Sequence, residues 1–476
     1  MYNNKVINSK EGGRNMSTEI NEVINDYTPD FELLKEMLET KHLLQLKNHI
    51  SEMNEYDVAY FIEELDVEKG LIVFRLLQKD AASDVFAYLA SDTQEHIIEH
   101  INDTDLSEII DDLFVDDVVD LLEELPASVV RRVLKNANPS KRKIINQFLQ
   151  YPDDSAGSIM TSEYVALKKT MTVDSALQYI RKNGVDKETI YTCYVTSSQR
   201  HLEGVVTLKE LVMSEADAII GDIMDTYVIR CVTTDEQETV ARMFTDYDLL
   251  ALPVVDHEER IVGIITVDDA VDVIEEEATE DIEKMVAITP SEKPYLKTSV
   301  WETWKSRIPW LMLLMISAIF TGSIITMYED ALAKAVILTS FIPMLMGTGG
   351  NSGSQASVTI IRSMSLNDIE FGDFLRVVWK EFRVSLLCGI SLAIVTFIKV
   401  LVVDNTGGII IPFVVAVSMM VTIVFAKIIG CMLPMLAKRV GLDPAVMASP
   451  FITTLVDAIS LIVYFKIACS FLPQLW

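Results

Sequence analysis

The sequence predicts a multidomain membrane protein: an α-helical superhelical N domain, a tandem pair of small α/β domains, and a five-helix all-α transmembrane domain. Three observations predict it. Residues 301–476 contain five apolar stretches, each near the ~20 residues that span a bilayer. An apolar Gly-x-x-Thr block occurs twice in the middle of the chain. Before it, short helix-like segments recur with paired apolar residues. Charge divides the chain in the same way. The net charge is −30; residues 1–306 carry −32 and residues 307–476 about +2. An acidic chain repels phosphate, so nucleic acid is excluded as a partner and cations are favoured.

Residues 1–30 are polar, lack an apolar signal-peptide core and are expected to be a disordered tail. Residues 31–152 read as a helical acidic domain, with apolar pairs such as Phe61-Ile62, Leu76-Leu77 and Leu121-Leu122. Acidic residues collect at Asp111-Asp112, Asp116-Asp117, Asp120 and Glu123-Glu124. On a single helix such a set is equally well a solvated face. The five cysteines are scattered and form no CxxC pair, which argues against a thiolate zinc site or a disulfide framework.

The repeat pairs Leu202, Gly204 and Thr207 with Ile261, Gly263 and Thr266, and Met160 with Met224. Each copy reads as strand, amphipathic helix, strand pair, Gly-x-x-Thr and helix. The pattern resembles a tandem pair of CBS domains, over 153–222 and 223–276. The resemblance implies a compact module that often binds adenine nucleotides, so ATP is a candidate ligand. Next comes a carboxylate run from Asp268 to Glu283, expected to continue into a connecting helix over 277–300. Like charges at i, i+3 and i+4 destabilise an isolated helix by a few tenths of a kcal/mol per pair. Divalent cations would relieve that repulsion.

The apolar stretches lie near 308–327, 335–360, 384–403, 409–437 and 445–471. Basic residues alternate across them: Lys305 and Arg307, then Arg362, Arg376, Lys380 and Arg383, then Lys438 and Arg439 sit on one side. The positive-inside rule places the N-terminal domains in the cytoplasm and the C-terminus outside. Asp457 is the one carboxylate well inside a span, at a cost of roughly 2.5–3.5 kcal/mol. Thr453, Thr454, Ser460 and Tyr464 share its helix face. Asp457 is therefore either a charged pore element or the partner of Lys399, Lys427 or Lys466. The segment from Gly347 to Gln355 holds four glycines with Asn351, Ser354 and Gln355. It suits a tight helix contact or a broken helix exposing oxygens to an ion.

These features together resemble the MgtE family of magnesium channels and transporters. The resemblance rests on Tyr151-Pro152-Asp153-Asp154 through Thr161, on Glu275–Asp281, on the Gly347 to Gln355 segment, and on Asp443-Pro444 with Asp457. It implies a homodimer in the plasma membrane, in contact with lipid. It implies one pore on the two-fold axis and closure by cytosolic Mg²⁺ through a plug helix. The implied pore residues are Asp457 and Asn351. The implied regulatory ligands form two groups: Asp84, Asp116, Asp120, Glu236, Glu238 and Asp248, then Asp269, Asp272, Glu277, Glu280, Asp281 and Asp443. Mg²⁺ is expected as both cargo and regulator, with other divalent cations as further ligands. No enzymatic activity is expected, since neither a phosphate-binding loop nor an Asp-Lys-Thr-Gly phosphorylation sequence is present. The alternatives are a carrier coupling the cation to H⁺ or Na⁺, and a membrane-bound CBS sensor that transports nothing.

Overall fold

The computed structural model describes residues 29–291, 295–296, 298–404, 408–447 and 449–472. Most of the expected N-terminal tail and the C-terminal Trp476 lie outside them. The chain divides into two compact units, Met1–Val273 and Ile274–Trp476.

The first unit opens with short helices α1 to α10, from Phe31–Glu39 to Pro139–Phe148. Short polar residues start them. Asp30, Asn54, Asp66, Asn102 and Asn138 each accept a backbone N–H of the first turn. Each helix buries one stripe; Phe61, Ile97, Ile98, Ile110 and Val118 are almost fully inaccessible. The members that matter below are α5 (Lys79–Ala87), α7 (Asp103–Asp112) and α8 (Val115–Glu124).

The repeat appears as two three-stranded sheets of identical topology. β1 (Val165–Leu167) pairs in parallel with β2 (Thr192–Thr196), which pairs antiparallel with β3 (Leu202–Thr207). β4 (Cys231–Val232), β5 (Ala251–Val255) and β6 (Ile261–Thr266) repeat the arrangement, with the register shift at the corresponding place. Helices α11 (Val173–Asn183), α12 (Leu208–Met213), α13 (Ile220–Ile223) and α14 (Gln237–Tyr247) complete the two copies. Each copy lends a strand-like arm to the other. Thr161 exchanges both backbone hydrogen bonds with Ile264 of β6, and Asp225 does so with Val205 of β3. Gly204 and Gly263 permit this crossing, because a Cβ there would strike Met224 and Met160 respectively. The repeated methionine and glycine thus mark one reciprocal contact.

α15 (Val267–Met285) carries the carboxylate run. It begins ten residues before the expected 277–300 and ends well short of it. Ala287 is left-handed (φ 57°), and the Ile288 N–H returns to Glu283 O at 2.9 Å, closing the helix ahead of Pro290.

The second unit holds α16 (Val300–Met327), α17 (Glu329–Lys334), α18 (Ile342–Ser365), α19 (Phe374–Val402), α20 (Ile410–Arg439) and α21 (Ser449–Phe471). Among the described residues four helical segments, not five, are long and apolar enough to cross a membrane: Val300–Met327, Phe371–Val402, Ile410–Arg439 and Ala445–Phe471. The expected second span begins as a 3₁₀ segment, Val336–Phe341, and continues as α18. That helix is 24 residues long, but glycine, serine and asparagine lower its hydropathy.

α18 runs unbroken through Gly347 to Gln355, so Gly349, Gly350 and Gly353 serve close packing and not a helix break. A Cβ on Gly349 would lie 2.7 Å from Thr422 Cγ2 of α20, and one on Gly350 2.8 Å from Thr453 Cγ2 of α21. A Cβ on Gly353 would lie 2.9 Å from Ile452 Cγ2 and 3.2 Å from Ala426 O. Gly353→Leu is expected to destabilise this unit by about 1–3 kcal/mol or more, the cost of overpacking a filled contact. Thermal unfolding of the detergent-solubilised chain would show it as a lowered midpoint; an unchanged midpoint would mean the helices are loosely packed.

Candidate functional site

Two arrangements of oxygen atoms stand out, one in each unit. In the second, Asp457 lies on α21, which packs against α18 and α20. Its hydroxyl neighbours are satisfied locally. Thr454 Oγ1 donates to Pro450 O at 3.0 Å, Ser460 Oγ to Val456 O at 2.6 Å, and Tyr464 Oη to Leu338 O at 2.9 Å. Asp457 Oδ1 is buried with no hydrogen-bond partner among the described residues.

The lysines that might have neutralised it are engaged elsewhere or exposed. Lys399 pairs with Asp404 at 2.8 Å, Lys427 with Glu381 at 3.9 Å, and Lys466 faces outward. A carboxylate oxygen without a partner in an apolar bundle is costly unless an ion or water meets it. Ser354 Oγ stands 3.4 Å from Thr453 Oγ1, one turn from Asp457. Asn351 and Gln355 lie on the exposed face of α18 in the single chain. Amide side chains facing lipid would be unsatisfied, so this face suits a wet path or another protein surface.

In the first unit, α8 turns Asp116 inward, where it is only 7% exposed. Among the described residues its Oδ1 has no hydrogen-bond partner, and neither does Glu188 Oε2. Burial, followed by the charges of Asp117, Asp269, Glu188 and Asp120, pushes the Asp116 carboxyl well above the usual range. Burial likewise raises Asp117 to about 6, Glu188 to about 8 and Asp269 to about 6. Hydrogen bonds from the Phe114 backbone to Asp117 and from Thr266 to Asp269 oppose the rise, as does the charge of Lys141 near Asp117. Lys141 Nζ donates to Leu113 O and, at 3.1 Å, to Asp111 O.

The structure therefore gathers Asp116, Asp120 and Asp269 from the two ligand groups. It adds Asp117, Glu188, Asp268 and Glu163, which the sequence reading did not name as ligands. Glu188 lies in the segment before β2 and carries no periodic signal, so only folding reveals it.

The other named residues are placed as follows. Asp84 is exposed on α5, and Asp248 is exposed in a left-handed position at the end of α14 (φ 51°). Glu236 precedes α14 and accepts from Thr239 Oγ1 at 3.2 Å, while Glu238 is paired with Arg242. Asp272 and Glu277 lie along α15 with Glu280 and Asp281. Asp443 sits in the turn between α20 and α21, and Lys284 bridges it to Glu280. Asp269 also accepts from Thr266 Oγ1 at 2.6 Å, and Glu210 repeats this with Thr207 at 2.8 Å. Thr266 with Asp269, and Thr207 with Glu210, thus form a helix-start contact in each copy.

Among the described residues no three His, Cys, Asp or Glu side chains converge tightly enough to grip a metal ion directly. The donors are hard oxygens, which suit an ion that dehydrates reluctantly and keeps its waters.

Comparison with known proteins agrees with this chemistry. Residues 342–467 match a family described as divalent cation transporter. Residues 53–154 match the MgtE intracellular N domain, and residues 156–217 and 220–276 match the CBS domain. The magnesium transporter MgtE of Thermus thermophilus is 36% identical over 439 residues, covering 91% of this chain and 97% of the relative. The chain belongs to the MgtE family. The Bacillus subtilis magnesium transporter MgtE is 32% identical over 447 residues, covering 92% of this chain and 96% of the relative. Two solved structures are also similar. One is the soluble part of a magnesium transporter, with TM-score 0.49 and 31% identity over 52% of this chain and 98% of that one. The other is the cytosolic domain of the Mg²⁺ channel MgtE in complex with ATP, with TM-score 0.48 and 35% identity over 50% and 98%. MgtE family membership and the apolar helices make this a multi-pass membrane protein of magnesium transport, with a helical N-terminal domain and a CBS pair.

Proposed function

We propose that this chain is a homodimeric Mg²⁺ channel of the plasma membrane, closed by cytosolic Mg²⁺. The observation that carries the reading is the buried, unpartnered Asp457 oxygen on a helix packed against the glycine-rich α18. In a two-fold dimer two such carboxylates would face one path, where a hydrated ion can be held through its water shell. A site of that kind binds weakly enough to release its ion. α18 would form the fifth span, its polar exposed face turned from lipid toward the path. The basic residues flanking the spans support a cytoplasmic N-terminal unit and an outside C-terminus.

The carboxylates around Asp116, Glu188 and Asp269 suit the sensor. A bound Mg²⁺ would supply two positive charges there, and these side chains repel one another without it. The membrane potential supplies the drive, ~2.3 kcal/mol per charge per 100 mV. Nothing at Lys427 favours a coupled carrier, because Glu381 neutralises it. The match to the CBS domain keeps ATP as a candidate ligand of that pair.

Patch-clamp recording from reconstituted protein tests the reading, with Mg²⁺ varied separately on each face. Currents that need no Na⁺ or H⁺ gradient and fall as cytoplasmic-side Mg²⁺ rises are expected. Dependence on such a gradient would make it a carrier, and absence of any flux would make it a sensor.

A further inference from the structure

The end of α15 is held by a charge that the chain supplies itself. Lys284 Nζ lies 2.7 Å from Glu280 Oε1, one turn back on the same helix, and 2.8 Å from Asp443 Oδ2. The other Asp443 oxygen accepts the Ala445 N–H at 2.8 Å, which orients the carboxylate toward the lysine. Beside this ion pair, Met285 packs against Ile361 of α18 and Ala445 of the turn that leads into α21. α15 then ends at once at the left-handed Ala287.

The ammonium therefore occupies the position between Glu280 and Asp443, two side chains that family resemblance would assign to a regulatory Mg²⁺. A cation already stands between them, and a small ion demanding near-octahedral oxygen ligation cannot share that position with it. The turn fastened in this way is the one from which α21, carrying Asp457, begins.

We propose that Lys284 is a positioning residue: a tethered cation that fastens the end of α15 to the Asp443 turn without Mg²⁺. The proposed channel reading gives this contact its consequence for gating, but the contact itself does not depend on transport. Divalent regulation then falls to the other carboxylates. Removing the ammonium leaves Glu280 and Asp443 facing each other as two negative charges, and the contact becomes dependent on a divalent ion.

The test uses the full chain in detergent with its five cysteines replaced by serine, and carries Met285→Cys and Ala445→Cys as a cross-linking pair. With Lys284 present, the yield with a short bifunctional maleimide is expected to be the same in EDTA and in Mg²⁺. In Lys284→Gln the yield in EDTA should fall about fivefold, the size of effect one partly buried ion pair exerts, and Mg²⁺ should restore it. Lys284→Arg, which keeps the charge, should behave as the parent. Asp443→Asn should lower the yield in both conditions. A Mg²⁺-dependent yield with Lys284 intact, an unchanged yield in Lys284→Gln, or an Arg variant matching the Gln variant would overturn the proposal. Because no flux is measured, a failure of the channel reading in the recordings would leave this result standing, and the reverse also holds.

Discussion

Replacing Asp457 by Asn is expected to abolish Mg²⁺ uptake by the reconstituted chain while leaving its fold intact or slightly more stable. The two effects have separate physical origins. A divalent ion ~4 Å from one carboxylate gains about 2 kcal/mol at the dielectric constant of water and about 8 kcal/mol at an effective value of 20. The lower figure alone is a roughly 30-fold change in occupancy, and a dimer would lose the charge twice. Stability should move the other way, because the substitution removes the negative charge from a side chain whose Oδ1 is buried without a hydrogen-bond partner among the described residues. A structural carboxylate paired with a lysine would behave oppositely, since its loss strands a buried cation. Uptake into liposomes and the thermal midpoint, measured on the same preparation, separate the cases. Uptake at the parent rate would remove Asp457 from the pore.

The second large effect concerns the carboxylates of the first unit. Their folded values are raised: Asp117 and Asp269 to about 6 and Glu188 to about 8, against ordinary values of 3.8 and 4.5, with Asp116 raised as well. A raised carboxylate binds its proton more tightly in the folded state than in the unfolded one. The stability it contributes is therefore complete below the ordinary value and is lost as pH climbs through the folded value. Metal-free protein is expected to lose stability from about pH 4 to about pH 8, with the last part of the loss due to Glu188. After discount for partial solvent screening the total is on the order of 1–3 kcal/mol.

Mg²⁺ should return that stability near pH 8 and have little effect near pH 4, where protons already neutralise the site. Thermal unfolding of the full chain with and without EDTA across this range reads the effect directly. Glu188→Gln is expected to flatten the upper part of the slope and weaken the response to Mg²⁺. A midpoint that rises with pH in EDTA would contradict the cluster as a cation sensor.

Much of the architecture was legible before folding, for reasons that differ by region. The CBS pair was readable because Gly204 and Gly263, with Met160 and Met224, meet one steric demand at two places, and identical demands leave identical residues. The short helices of the N domain were readable because recurring paired apolar residues are a local pattern. The glycine-rich segment of the second span was legible as an anomaly but left between a tight helix contact and a broken helix, because only packing shows Gly349, Gly350 and Gly353 meeting neighbouring helices along an unbroken α18. The connecting helix was misplaced because its C-terminal stop depends on backbone geometry at Ala287, where the sequence shows no glycine.

The sequence by itself determined the division into acidic and apolar halves, the repeat, and Asp457 as the anomalous charge, because each is a matter of composition or short-range period. Only the tertiary structure decided which charges meet. It brought Glu188 and Asp269 to Asp116, gave Lys427 to Glu381, placed Lys284 between Glu280 and Asp443, and left the Asp457 oxygen without a hydrogen-bond partner among the described residues. Coulomb energy depends on separation in space and on burial, and chain periodicity encodes neither for residues far apart in sequence.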